Sequence, residues 1–194
     1  MLSQIRPALV LLTLLTLITG LIYPLAITGI AQLALPQQAN GSIVFKDGAI
    51  GSALIGQNFT SSKYFHGRPS ATSATDPNDD TKTIDAPYNA VNSAGSNLGP
   101  TSQKLLDRVK ADVDALHSPR PVPADAVTTS ASGLDPDISP ANALAQVEAV
   151  AKARGLSEER VRAVLAQNAH LPVLGLFGEP RVNVLMLNLA LDAL

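Results

Sequence analysis

The hydrophobic pattern of the chain opens with one long uncharged run near the N-terminus. From Pro7 to Leu35 there is no Asp, Glu, Lys, Arg or His, and Leu, Ile, Val and Thr dominate. A helix of about 20 residues crosses the ~30 Å hydrocarbon core of a bilayer, so this run is long enough to span it. We therefore expect a cytoplasmic N-terminus at residues 1–7, a transmembrane helix at residues 8–35 and an extracytoplasmic domain at residues 36–194.

The charges that flank the run predict this orientation. Arg6 is the only charged side chain before Lys46, and positive charge is retained on the cytoplasmic side of a membrane. A cleaved signal peptide is the alternative, but its apolar region is usually ~7 to 15 residues long and ends in an AxA-like site. The run here is longer, and the small pair Ala31 and Ala34 has the wrong spacing.

Small residues interrupt the apolar run. Thr16 and Gly20 are four residues apart on one helix face, an arrangement that lets a neighbouring helix approach closely. The pattern favours packing against another span, although Thr and Gly are also common in membrane helices that have no such neighbour.

After the run the pattern changes to short apolar stretches separated by Gly, Ser, Asn and Pro. Ser42–Phe45 and Ser52–Phe59 are predicted to be short strands, with Gly48 and Gly51 in the turn between them. Tyr64–Ser96 shows little periodicity and is expected to be mostly loop, and loops of this length are usually functional or disordered.

Helical periodicity returns near Pro100, where apolar residues recur at spacings of one, three or four. These residues are Leu105, Leu106, Val109, Val113 and Leu116. The pattern predicts an amphipathic helix, which Pro119, Pro121 and Pro123 should end.

Capping signals mark two further helices. The second helix should begin after Ser139 as N-cap and end at Gly155 as a left-handed cap. Its predicted buried face consists of Leu144, Val147, Val150 and Ala151. The third should begin at Ser157, where Leu156 and Val161 form a hydrophobic staple across the N-terminus.

The C-terminal residues 181–194 are apolar almost throughout. We expect a short strand through Val184, followed by a helical turn or two. The predicted fold class is therefore α/β, in the α+β sense: one N-terminal transmembrane helix followed by a small mixed strand and helix domain.

Composition excludes several function classes. The formal net charge is −2, so there is no basic excess to neutralise the phosphates of a nucleic acid. Cysteine is absent, which excludes disulfides, thiolate metal sites and cysteine nucleophiles. No phosphate-binding GxxxxGK[ST] run occurs, and His66, His117 and His170 lack the spacing of metal ligands on one helix face.

A hydrolase is the alternative function. Ser130 or Ser132, with Asp135 nearby, would supply the nucleophile of a membrane-anchored periplasmic serine hydrolase. However, no glycine-flanked nucleophile elbow surrounds either serine, and no histidine is placed by sequence as the base. A tight turn before the Ser139 cap is the favoured interpretation.

A cluster of large side chains stands out in the predicted loop. Tyr64, Phe65 and Tyr88 are most of the large aromatics of the domain, and they lie close to Arg68. Aromatics and arginine are enriched at the centres of protein interfaces. The cluster therefore indicates either a partner-binding surface or a minor core of the loop.

Long motifs are distributed over nearly the whole chain. They are YPLAITGIAQ (23–32), QANGS (38–42), LIGQNF (54–59), YFHGRPSAT (64–72), PYNAVNSAGSNLGPT (87–101), SASGLDPDIS (130–139) and VNVLMLNLALD (182–192). In this order they resemble the C subunit of the bacterial Kdp potassium-transporting ATPase.

The resemblance implies a non-enzymatic accessory subunit of a high-affinity, ATP-driven potassium uptake complex in the bacterial inner membrane. Its partners would be a channel-like A subunit, a P-type B subunit that hydrolyses ATP, a small F subunit and membrane lipid. Two roles are implied: a catalytic chaperone that supports ATP binding by the B subunit, and an outer cap of the ion-conducting subunit. No cofactor is expected on this chain alone, and ATP would be shared with the B subunit.

The resemblance also suggests functional residues. Gln146 matches the family glutamine linked to nucleotide binding, while Glu148 and Ala149 stand where the family pattern continues with Pro and Arg. The residues expected to contact partners are Tyr64, Phe65, Arg68, Pro69, Tyr88, Asn89, Ser96 and Asn97 in the domain, and Thr16 and Gly20 in the span. No metal ligands are expected.

Overall fold

The computed structural model describes residues 2–116 and 121–194. The chain forms two compact units, one ending at Ser52 and the other running from Ala53 to Leu194. One candidate membrane helix precedes a mixed helix and strand domain, which confirms the predicted fold class. The predicted boundary between the membrane span and the domain at residue 36 stays a prediction.

The first unit contains one continuous helix of 30 residues, Ile5–Ala34, long and apolar enough to cross a membrane. It consists of α1 (Ile5–Leu17), a π-helical stretch (Ile18–Ile22) and α2 (Tyr23–Ala34), after a short 3₁₀ turn at Leu2–Gln4. Pro24 lies two residues after the end of the π-helical stretch and has no N–H to donate to the preceding turn. The wider turn therefore lies just before the residue that interrupts the helical hydrogen bonds.

The rest of the first unit is a short helix and a hairpin. The short helix α3 (Pro36–Ala39) precedes the antiparallel strands β1 (Ile43–Phe45) and β2 (Ala49–Ser52). The second predicted strand, Ser52–Phe59, is wrong because the chain reverses earlier. Asp47 and Gly48 both adopt positive φ angles, 55° and 152°, so the turn closes before residue 49.

A small antiparallel sheet and three helices build the core of the second unit. The strands β5 (Asp137–Ile138), β6 (Ala169–His170) and β7 (Arg181–Asn183) pair in the order β5-β7-β6. The helices are α6 (Pro140–Arg154), α7 (Glu158–Gln167) and α8 (Val184–Asp192). Side chains of this core include Phe65, Ile138, Ala143, Val147, Val150, Val161, Val164, Val182, Leu187 and Leu191.

The caps of α6 and α7 are confirmed. The Ser139 hydroxyl accepts a hydrogen bond from the Asn142 amide at 3.0 Å, and Gly155 has φ 67°. Ser157 caps α7 by accepting from the Arg160 amide at 3.3 Å. The predicted buried face of α6 is wrong at Leu144, which is 43% exposed: the core contains the preceding residue, Ala143, whose short side chain lets α6 approach the sheet closely.

The C-terminal prediction is confirmed in its order but not in its boundary. Val184 begins α8 instead of ending the strand, and the helix has nine residues. Asn183 causes this early start, because its side chain caps the helix by accepting from the Met186 amide at 3.1 Å.

The amphipathic helix α4 (Gln103–Leu116) forms as predicted. Its apolar face is only partly covered, since Leu106 and Leu116 remain exposed within the described chain. Pro119 and His117 lie outside the described residues. The chain continues through a short helix, α5 (Ala124–Val127).

The loop predicted at Tyr64–Ser96 contains a hairpin that the sequence did not reveal. Strands β3 (Ser73–Asp76) and β4 (Asp79–Asp85) pair antiparallel. Asp76 organises the turn by accepting from the Asn78 amide at 2.8 Å. The sequence of β4 lacks the alternation of apolar and polar residues that marks a half-buried strand, because both faces of β4 are largely exposed and polar.

A candidate partner-binding groove

An extended segment, residues 63–66, crosses the helices of the second unit and is held there by side-chain amides. Asn188 accepts from the Phe65 amide at 2.8 Å and donates to the Phe65 carbonyl at 2.9 Å. Gln146 does the same for His66, at 2.8 and 3.1 Å. The two amide side chains therefore supply the hydrogen bonds that a neighbouring strand would provide, and Phe65 is fully buried in the core.

Arg154 holds the start of the same segment. Its Nε donates to the Lys63 carbonyl at 2.6 Å, and one of its terminal nitrogens forms an ion pair with Asp192 at 2.8 Å. The guanidinium lies 5.0 Å from the centre of the Tyr64 ring, a cation–π contact. The Tyr64 hydroxyl donates to Asp192 at 3.1 Å, and its ring packs against Phe59.

Arg68 fixes the next part of the segment to a neighbouring loop. It pairs with the Asp135 carboxylate at 3.1 Å and donates to the backbone carbonyl of Thr129 at 3.2 Å. Its Nε also donates to the Thr128 carbonyl at 3.4 Å. The guanidinium is thus committed to contacts within the domain, although the side chain remains about one quarter exposed.

Tyr88 closes the same region and requires two glycines. A Cβ built on Gly67 would overlap the Tyr88 hydroxyl, and one built on Gly56 would overlap the Tyr88 ring. The hydroxyl donates to the Arg68 carbonyl at 2.7 Å. Burial raises the pKa of Tyr88 to about 12, with a further contribution from Asp135, so the phenol remains a proton donor near neutral pH.

Hydroxyl groups connect the loops behind Tyr88. The Ser70 hydroxyl donates to the Gly133 carbonyl at 2.7 Å and accepts from the Tyr88 amide at 3.0 Å. The Thr72 hydroxyl accepts from the Asn89 amide at 3.0 Å. Long irregular segments are therefore ordered by specific hydrogen bonds.

A chain of polar groups runs along the start of α6 towards the extended segment. The Asp125 carboxylate accepts from the Ser139 amide at 2.8 Å, from the Ser139 hydroxyl at 2.9 Å and from the Asn142 side chain at 3.1 Å. Asn142 in turn accepts from Gln146 at 2.9 Å, and Gln146 binds His66. Burial tends to raise the pKa of Asp125, but the hydrogen bonds from Ser139 and Asn142 outweigh it, so the pKa lies below its usual value.

These elements enclose a groove of about 760 Å³, within the size range of sites that bind small ligands or single side chains. Its walls come from the extended segment and the residues around it, from α6, from the Tyr88 loop, from the end of α4 and from α5 with the residues before it. The side chains of the α6 wall are Asn142, Ala145, Gln146, Ala149 and Val150. Opposite them lie Asn58, Phe59, Thr60, Ser62, Tyr64, His66, Gly67, Arg68, Pro69, Ser70, Pro87 and Tyr88, with Leu116, Val122, Pro123 and Ala126.

Five of the eleven predicted site residues meet in this groove. They are Tyr64, Arg68, Pro69, Tyr88 and Gln146. Phe65 packs in the core instead. Of the two alternatives, a partner-binding surface or a core, the structure shows the core for this residue. No partner is present to test the interface role of the others, which stays a prediction.

The remaining predicted contacts lie elsewhere. Asn89 donates from its side chain to the Ser73 carbonyl at 2.8 Å, while Ser96 is half-buried and Asn97 is exposed with φ 52°. Thr16 and Gly20 belong to the first unit, and Gly20 lies inside the π-helical stretch.

Sequence analysis missed the residues that hold the extended segment, Asn188 and Arg154, and the polar chain from Asp125. The four-residue spacing of Asn142 and Gln146 on α6 was the one signal available, since such residues are neighbours on a helix face. Gln146 and Asn188 are separated by 80 and 123 residues from the backbone groups that they bind.

The serines considered for catalysis both stabilise turns. The Ser132 hydroxyl accepts from the Leu134 amide at 3.1 Å, and the Ser130 hydroxyl accepts from the Gly133 amide at 2.9 Å. Asp135 pairs with Arg68. Within residues 2–116 and 121–194, no group of three or more His, Asp or Glu side chains is arranged to hold a metal ion.

Fold and groove together define the class: a protein with one candidate membrane helix and a small α+β domain that carries a groove. The family model of the K⁺-transporting ATPase c chain, KdpC, matches residues 5–193. The chain therefore belongs to the KdpC family.

Similar proteins span the same length. One from Rhodopseudomonas palustris, named potassium-transporting ATPase KdpC subunit, is 66% identical over all of this chain and 99% of its own length. A protein of that name from Bradyrhizobium diazoefficiens is 66% identical over 99% of this chain and 98% of its own. Another from Methylobacterium nodulans is 62% identical over 100% and 98%.

The lowered pKa of Asp125 predicts a pH-dependent stability. A depressed folded-state pKa gives stabilisation that is fully present above the unfolded value, about 3.9, and is lost as the pH falls through the folded value. Asp125→Asn should lower the free energy of unfolding by about 1 to 3 kcal/mol near pH 7. Chemical unfolding of the detergent-solubilised proteins from pH 7 to pH 3 measures the difference in free energy of unfolding between the unmodified chain and Asp125→Asn. This difference should shrink below about pH 4.

Asp80→Asn, at an exposed position in β4, is the control and should change stability little at any pH. Asp137, whose pKa is raised by burial, is present in all three proteins and cancels in the comparison. A gap between the unmodified chain and Asp125→Asn that stays constant down to pH 3 would contradict the role of the carboxylate.

Proposed function

We propose that this chain is a non-catalytic accessory subunit of an ATP-driven potassium transport complex in a bacterial inner membrane. The match to the KdpC family over residues 5–193 carries the proposal, and the relatives described above are named as subunits of a potassium-transporting ATPase. The partners would be the channel-like A, the P-type ATPase B and the small F subunits. The engagement of the Ser132 hydroxyl in a turn supports a structural role over the serine hydrolase alternative.

The second unit would lie outside the cytoplasm, as an outer cap of the ion-conducting subunit. Arg6 supports this orientation because it is the only charge on the N-terminal flank of the helix. A domain on that side influences transport only by binding one conformation of its partners more tightly than another.

Single-cysteine labelling tests the orientation, since the natural chain has no cysteine. Val91→Cys places a thiol at a side chain that is 97% exposed, and Ser3→Cys places one before the helix. In spheroplasts, a membrane-impermeant maleimide should label residue 91 and not residue 3. Inverted vesicles should give the opposite pattern, and the reverse result in both preparations would refute the orientation.

The groove would receive a segment of a partner subunit. Its walls are held by ion pairs and by hydrogen bonds to backbone groups, so little conformational entropy remains to be lost on binding. Its lining is mostly apolar, as at the centre of a protein interface.

Filling the groove should prevent assembly. Ala145 lies on its α6 wall and is exposed, so Ala145→Arg adds bulk and charge there without disturbing the core. Leu144→Arg is the matched control, because residue 144 is exposed on the same helix but does not line the groove. Co-purification with the other subunits should be lost for Ala145→Arg and kept for Leu144→Arg.

Equal recovery of the complex with both variants would rule out the groove as the docking site. Normal potassium transport by a complex that lacks this chain altogether would instead refute the accessory role. The two failures are therefore distinguishable.

The effect on ATP binding would pass through subunit contacts. Both ends of the Gln146 amide are used within the domain, by His66 and by Asn142, so a direct contact with nucleotide would require those bonds to break. We therefore propose that Gln146 positions the extended segment, and that ATP is bound by the B subunit.

Gln146→Ala and Asn188→Ala separate positioning from nucleotide contact, because each removes two hydrogen bonds to the same segment. Asn188→Ala should lower the free energy of unfolding by about 1 to 3 kcal/mol, since the buried Phe65 backbone loses its partners, and Gln146→Ala by about 0.5 to 1.5 kcal/mol, since His66 is exposed to water. In the assembled complex the KM for ATP should respond equally to both substitutions. A rise confined to Gln146→Ala would indicate direct contact with nucleotide.

A further inference from the structure

The loop between β6 and β7 is an apolar tip with no function in the domain core. Its eight residues, 171–178, read LPVLGLFG and include no charged or hydrogen-bonding side chain. Its five large side chains are between 65% and 85% exposed: Leu171, Val173, Leu174, Leu176 and Phe177. Contiguous exposed apolar surface of this kind marks an interaction site.

Four backbone amides of this loop, at residues 173, 175, 176 and 177, are paired within the loop itself. Val173 and Phe177 exchange hydrogen bonds in both directions, at 2.9 and 3.0 Å. The Gly175 amide donates to the Pro172 carbonyl at 3.0 Å, and the Leu176 amide donates to the Val173 carbonyl at 3.1 Å. Internal pairing of backbone groups is the condition for entering a medium that offers no hydrogen bonds.

The chemistry of the tip favours lipid over a protein partner. Protein interfaces carry about one hydrogen bond per 100 to 200 Å², but this tip presents no polar side chain to form one. Polar groups begin directly at its base, with His170 on one side and Glu179 and Arg181 on the other. An apolar tip above a charged base matches the change from acyl chains to headgroups at a bilayer surface.

The chain also keeps the loop near a membrane. The 18 residues 35–52 connect the candidate membrane helix to the second unit and reach at most about 60 Å when fully extended. Such a connection gives the loop a high effective concentration at the bilayer surface, so weak insertion suffices. This step depends on the helix and is independent of the groove.

We propose that the apolar tip, residues 171–178, inserts into the headgroup and acyl boundary of the bilayer that holds the anchor helix. The occupant of this surface is therefore lipid, and the loop forms a second, reversible membrane contact. This contact limits the tilt of the domain and so helps to orient it towards its partners.

Site-specific fluorescence tests the insertion. The full chain, reconstituted in phosphatidylcholine vesicles, carries an environment-sensitive fluorophore on Leu174→Cys or, as control, on Val91→Cys, both at highly exposed positions. Emission from the label at residue 174 should lie at a shorter wavelength than that of a hydrated label. Its intensity should fall when the vesicles contain doxyl-labelled lipid, which quenches fluorophores that reach the acyl region. Emission from residue 91 should resemble that of a fully hydrated label and be insensitive to that lipid.

A second variant distinguishes insertion from mere proximity. Adding Leu176→Glu to the labelled Leu174→Cys chain should abolish both the shift and the quenching, because a charge opposes entry into the acyl region. Adding Val91→Glu, at a side chain that is 97% exposed, should leave both signals intact.

Three results would overturn the proposal. One is a label at residue 174 that behaves like the label at residue 91. Another is quenching that survives Leu176→Glu. The last is a label that becomes shielded only when the other subunits are co-expressed and that doxyl lipid does not quench, which would show that the tip contacts protein instead.

Discussion

The domain depends on one constraint: Phe65 is buried in a segment that has no neighbouring strand, and the backbone groups of Phe65 still require partners. An unpaired buried backbone group costs about 1 to 3 kcal/mol. Asn188 meets the requirement at Phe65, and Gln146 binds the exposed next residue, His66, each with an amide that donates and accepts. Because the two amides come from α8 and α6, the segment also ties these helices together.

The same constraint explains the glycines of the surrounding loops. Once residues 63–66 are fixed, the chain that follows turns beneath Tyr88, and the ring leaves no space for a Cβ at Gly56 or Gly67. Tyr88 in turn donates to the Arg68 carbonyl, so the loop that covers the segment is bonded to it. Rigid walls around the groove are a consequence of satisfying the buried backbone.

Local signals allowed the helices to be predicted. The Ser139 cap and the Gly155 terminator act within one helical turn, so a short window of sequence contains the whole interaction. The buried face of α6 was less certain, because the choice of Ala143 over Leu144 depends on how closely the sheet approaches the helix. The distance between α6 and the sheet is set by the packing of the whole domain. It cannot be inferred from the spacing of apolar residues along the helix.

The groove could be predicted only in part. Arg68 and the aromatics indicated its position, since large side chains in a long loop are unusual, yet Phe65 proved to be a core residue. The polar β3–β4 hairpin gave no alternating pattern, because neither face of β4 is buried. Gln146 and Asn188, which hold the segment, could not be predicted because their partners are 80 and 123 residues away. A glutamine or asparagine that is exposed to water has the same local sequence around it.

Under the proposed function, rigidity and anchoring together would let the domain act on a transporter. A subunit changes the balance between two states of its partners only by the difference between its affinities for them. A flexible domain would adapt to both states and reduce that difference, whereas a surface held by Arg68, Gln146 and Asn188 would keep its shape while a partner moves. The candidate membrane helix, joined to the domain by residues 35–52, would keep that surface near the bilayer. On this proposal, the internal hydrogen bonds of the extended segment would serve selection between partner states as well as stability.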